Sequence, residues 1–171
     1  MITDPKPEGY RIPELIYDED HTAETAVTIA NLDGNSSEKY EIVIDGSCAL
    51  TGDPYLTSSL GNTWVGALDK VRTSENPTYD DGVSSGRPKL GTGYVAGGAT
   101  HYLYIETTLI TRSGKRRWCI SKSRHREPGY IGKSDITCEH DSDTTTNITS
   151  VVLNFPGGFT GNVKVYRVLP K

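Results

Sequence analysis

The chain has 171 residues with a net charge of −4, and contains 18 glycines, 9 prolines, 10 tyrosines and a single methionine. That length allows one domain with a core that needs neither disulfide nor metal, and the turn-rich composition without any Leu/Ala/Glu/Lys run excludes a helical bundle. The modest negative charge argues against nucleic acid as the main partner, and no apolar stretch is long enough for a membrane-spanning helix.

Residues 1–23 read as an extended arm. Pro5, Pro7 and Pro13 bar a regular helix or a central strand, and the segment closes on Asp18, Glu19 and Asp20. No basic start precedes an apolar core, so no secretory leader is expected. Tyr10, Ile12, Leu15, Ile16 and Tyr17 are too apolar for a solvated tail. They call for a surface to lie on, either the body or a neighbouring subunit.

The body is expected to span residues 24–171. Ala26, Thr28 and Ala30 alternate with Val27 and Ile29, and a turn follows at Leu32, Asp33, Gly34 and Asn35. Tyr40, Ile42 and Ile44 then alternate with Glu41, Val43 and Asp45, the period of a strand. Residues 47–100 form a long loop excursion rich in Gly, Ser, Asn, Asp and Pro. Short strands are expected around Trp64 and Tyr94, and a mobile loop over 76–90. Trp64, Tyr55, Tyr79 and Tyr94 are candidates for stacking on a glycan, or else fill strands with their hydroxyls in water.

Residues 102–112 and 115–123 read as a hairpin about Ser113 and Gly114, with Leu103, Ile105, Thr107 and Leu109 on one face. A weaker strand covers 133–139. No acidic residue occurs between Thr107 and Arg126, where Arg112, Lys115, Arg116, Arg117, Lys122, Arg124 and Arg126 concentrate. Such a ribbon could hold phosphate, nucleic acid, an acidic glycan or, before these, an acidic protein surface, or it guards strand edges against pairing. The acidic run at 18–20 is a candidate counterpart, within the chain or across a subunit interface.

Cys48, Cys119 and Cys138 contain no CxxC spacing, which points to reduced, buried thiols. A bridge between Cys119 and Cys138 stays open. Glu139, Asp141 and Asp143 lack the glycine and terminal glutamate of a calcium loop, so an acid-rich turn is expected and no metal is assigned. No HExxH, GxSxG or phosphate-binding loop occurs. Neither a catalytic residue nor a cofactor is assigned, and the chain reads as a non-enzyme. The end of the chain reads as a hairpin, with Ile148 to Phe155 and Val163 to Leu169 alternating about Pro156, Gly157 and Gly158. The total is seven to nine strands and no helix.

Two segments carry a family resemblance. AETAVTIANLDGNSSEKYEIVIDG (23–46) resembles the start of small β-sandwich structural proteins of tailed bacteriophages. NITSVVLNF and VKVYRVL, with Ile148-Thr149-Ser150 and Tyr166-Arg167-Val168, resemble their end. The resemblance covers the two ends of the body and leaves 47–100 unmatched. It implies an antiparallel, jelly-roll-like β-sandwich. It also implies a virion component made in the bacterial cytoplasm: a capsid decoration (cement) or tail-associated protein, usually homo-oligomeric and often trimeric, contacting other virion proteins. The alternative is a carbohydrate- or receptor-binding module of a tail or fibre, directed at a host surface glycan.

Overall fold

A computed structural model of the chain describes residues 12–49, 51–60, 64–65, 70–72, 87–91, 100–127, 130–140 and 145–170. These residues form nine strands and no helix: β1 (Glu14–Ile29), β2 (Lys39–Cys48), β3 (Tyr55–Ser58), β4 (Trp64–Val65), β5 (Lys70–Arg72), β6 (His101–Ile110), β7 (Trp118–Glu127), β8 (Tyr130–His140) and β9 (Val151–Val168). All pairings are antiparallel, in the order β1-β9-β2-β6-β7-β8-β4, with β3 also on β9 and β5 also on β8. The chain is therefore all-β, as expected. The described strands form one continuous sheet whose inner face closes on a single core, consistent with a sandwich-like body.

Alternation sets the core. Tyr40, Ile42 and Ile44 of β2 point inward with Leu103, Ile105, Thr107 and Leu109 of β6, while Tyr102 and Glu106 face water. The inner face of β7 is polar, and its serines are satisfied locally. Thr107 and Ser121 share a hydrogen bond of 2.9 Å, Ser123 and Ser134 one of 2.6 Å, and the Ser121 hydroxyl donates to Leu90 O. Leu90 is fully buried, and its N–H bonds Pro54 O. Residues 87–90, expected within a mobile loop, are thus anchored to the core. The remainder of 76–90 lies outside the described residues, as does Tyr94.

The closing hairpin is not formed. Residues 151–168 are one strand, because β1 runs beside all of it, from Glu14 opposite Arg167 to Ile29 opposite Val151. Gly157 and Gly158 adopt φ of 99° and 95°, yet the chain kinks instead of reversing. From Asn154 to Phe159 β9 takes five steps while its partner takes two, Glu24 to Ala26, so the extra residues form a wide bulge. Across it Phe155 and Phe159 stack at 4.6 Å between centroids. The first limb of β9 pairs with β3 and the second with β2.

The boundary expected at residue 23 likewise falls inside β1. Residues 14–23 lie on the body, the first of the two surfaces expected for the arm, and form the edge of the sheet. The composition change marks the bend opposite the β9 bulge, where Ala23 has φ 55° and its N–H bonds Thr160 Oγ1. Pro13 immediately precedes the first strand residue, where its missing N–H costs nothing. Residues 1–11 lie outside the described residues. The connection from β6 to β7 occupies 111–117, wider than a two-residue turn.

All three cysteines are buried thiols outside any disulfide among the described residues, and Cys119 sits directly opposite Cys138. Burial, then the neighbouring Cys138, pushes the Cys119 thiol up. A thiol reagent at about pH 8 is expected to leave the folded protein unlabelled and to modify all three cysteines in denaturant; labelling without denaturant would refute this burial. Above the ordinary thiol range the unfolded chain loses a proton that folded Cys119 keeps. Stability is therefore expected to fall as pH rises beyond that range, read as a falling urea midpoint.

Candidate interaction surface

Two outward features remain once the core is filled: the β1 edge and the outer face of β6, β7 and β8. At the edge, Ile12 is 68% exposed, Leu15 49% and Ile16 37%. A register shift between Leu15 and Tyr17 makes Ile16 the extra residue, so both Leu15 and Ile16 face water. Tyr17 instead packs on the core, and its hydroxyl bonds Glu19 at 3.0 Å. Burial first, and that bond second, push Tyr17 up to about 12. Tyr10 lies outside the described residues.

The acidic run does not meet the basic ribbon. Asn162 Nδ2 donates to Asp18 at 2.9 Å and to Asp20 at 3.0 Å, and Lys164 lies 3.6 Å from Asp18. Between β1 and β7 stand β9, β2 and β6, so four interstrand steps separate them by about 19 Å along the sheet.

The ribbon itself divides. Arg112 pairs with Glu38 at 3.5 Å, Arg116 pairs with Glu139, and Lys115 is exposed at the tip. Arg117 is fully buried and is no docking residue. It donates to Thr111 O at 2.8 Å, Thr146 O at 2.6 Å and Asn35 Oδ1 at 3.1 Å. Lys122, Arg124 and Arg126 do stand exposed on the outer face of β7. Opposite Arg124 on β8 is Lys133, which sequence reasoning missed. Its alternation within 133–139 marks it as outward, but only the register places it beside Arg124.

On the other flank of β7, Tyr104 faces Arg124 and Tyr102 faces Arg126. Tyr102 is 50% exposed. Its hydroxyl is raised from the ordinary range by a hydrogen bond with Asp45, and that of Tyr104 by one with Glu106 at 2.8 Å.

The aromatics chosen for a glycan are not brought together. Trp64 is buried edge-on against His140 at 5.2 Å, Tyr55 is half-buried beneath the Arg87 guanidinium at 5.0 Å, and Tyr79 and Tyr94 lie outside the described residues. Glu139 is engaged by Arg116, Asp141 and Asp143 lie outside the described residues, and no group of three metal-ligating side chains occurs among those described. No protein-family model, no curated protein and no solved structure matches the chain.

Proposed function

We propose that this chain is a non-enzymatic structural protein that works by assembling. The β1 edge is the observation that carries the reading. It is 16 residues long, its outer flank pairs with no strand among the described residues, and it displays Leu15 and Ile16, with Ile12 just before it. A lone soluble protein normally blunts or covers such an edge; Asp18, Glu19 and Asp20 blunt its middle, while at its start an apolar cluster sits uncovered among the described residues. A neighbouring subunit is the natural cover. The resemblance of both ends of the body to phage β-sandwich proteins supports reading the assembly as a virion, with the chain as a capsid decoration or tail-associated protein.

Removing residues 1–20 would strip much of β1 from β9 and damage the fold, so point substitutions are the cleaner test. Leu15→Asp and Ile16→Asp are each expected to weaken self-association at least about tenfold, since a completed apolar contact contributes about 1.5 kcal/mol or more. Light scattering against concentration reads the effect, with the melting temperature as a control for folding. A wild-type protein that stays monomeric at every concentration would sink the proposal.

A further inference from the structure

The cationic outer face has a feature that assembly through β1 does not use. Lys39, Lys89, Arg112, Arg116, Lys164 and Arg167 each reach a carboxylate. Arg124, Arg126 and Lys133 form no ion pair among the described residues, in a chain whose net charge is −4. Arg124 and Lys133 are moreover direct cross-strand partners, an arrangement of like charges that costs stability. Beside Arg124 and Arg126 opens a cavity of about 490 Å³ lined by those two residues, Tyr102 and His125, within the range of small-ligand sites, and Lys133 flanks it across the strand from Arg124.

The surroundings define the occupant. The acidic run at 18–20 is taken up on β9, and no carboxylate among the described residues forms an ion pair with these cations. Along β7 the next outward residue, Lys122, is flanked by Glu106 and Asp135, and beyond Tyr104 stands Asp45. The free cations thus belong to a short row across the sheet, Arg124, Lys133 and, opposite Lys133 on β5, Arg72, with carboxylates beside it along β7 and beyond β6. A polyanion such as single-stranded nucleic acid needs a continuous basic track and would run into those carboxylates. One discrete anionic group fits. The half-exposed Tyr102 ring adds an apolar platform beside that group. We infer that the Tyr102–Arg124–Arg126–Lys133 cluster binds an acidic sugar unit. The guanidinium of Arg124 or Arg126 forks the anion, Lys133 adds its point charge, and Tyr102 stacks on the pyranose.

The test titrates the intact protein with glucuronate, glucose, acetate, inorganic phosphate and a thymidine oligonucleotide, following Tyr102 and backbone resonances of β6–β8. Glucuronate is expected to bind with a Kd in the millimolar range, about tenfold or more tighter than glucose or acetate. Arg124→Gln, Lys133→Gln and Tyr102→Ala should each weaken it about tenfold, whereas Lys115→Gln at the hairpin tip should not. Acetate or phosphate binding as well as glucuronate would reduce the cluster to a bare anion site and overturn the proposal. Preferential binding of the oligonucleotide, or no shift with glucuronate at about 10 mM, would overturn it too. Oligomer mass measured on the same variants keeps this result separate from the assembly reading, which none of these substitutions should affect.

Discussion

Replacing Arg117 by alanine is expected to destabilise the protein by about 3–5 kcal/mol, the largest loss for any change at the basic ribbon. The side chain is fully buried and ties together three separate segments. One is the strand end at Thr111, another the turn at Asn35, and the third the approach to β9 at Thr146. Truncation leaves those acceptors dry and opens a cavity where the guanidinium lay. The turn at Asn35 would loosen further, because Asn35 N–H also bonds Asn147 and its amide reaches Thr145 O. Arg117→Lys should recover only part of the loss, since an ammonium cannot span three acceptors in a plane. The neighbouring Arg116→Ala removes a surface ion pair with Glu139 and should cost less than about 1 kcal/mol. Urea denaturation of the three variants at constant m value measures the contrast. A loss below about 1 kcal/mol for Arg117→Ala would show that the buried guanidinium is not holding these segments.

Much of the sheet is legible in the sequence. The faces of β2 and β6 follow from strict alternation, and Tyr40, Ile42, Ile44, Leu103, Ile105 and Leu109 are all buried. Alternation also carried an unused signal for Arg117. It shares parity with Cys119, Ser121, Ser123 and His125, which form the inner face of β7, so its burial was readable despite the cationic run around it. Lys133 is different. Its contact with Arg124 depends on the register between β7 and β8, and no local pattern fixes which residue of one strand faces which of the next. Within one chain the acidic run does not reach the ribbon, for a related reason. Opposite charge suggested the ribbon, but the sheet order placed Asn162 and Lys164 beside Asp18 first.

The kink in β9 shows where local chemistry runs out, and it yields the second large effect. A Pro-Gly-Gly segment between alternating runs satisfies the requirements of a tight turn and of a wide bulge equally, because both use positive φ. Distant partners decide between them. Ala49 N–H bonds Gly158 O at 3.3 Å and Thr51 N–H bonds Pro156 O at 2.9 Å, so the bulge carbonyls are met by the chain leaving β2. That close approach leaves no room at Gly157. A Cβ there would fall on the Ala49 carbonyl oxygen, in a backbone conformation that L side chains already resist. Gly157→Ala is therefore expected to cost about 3 kcal/mol or more, from backbone strain plus displacement of the Ala49–Thr51 segment. Gly114→Ala supplies the control. Its φ is 71°, but nothing lies within 4 Å of the added Cβ, so only the strain of about 1 kcal/mol remains. Equal midpoints for the two variants in urea would mean that positive φ alone matters, and that the contact between the bulge and Ala49 does not hold β9 in one piece. A much lower midpoint for Gly157→Ala, accompanied by faster amide exchange at Ala49 and Thr51 but not along β7 and β8, is the result that the packing requires.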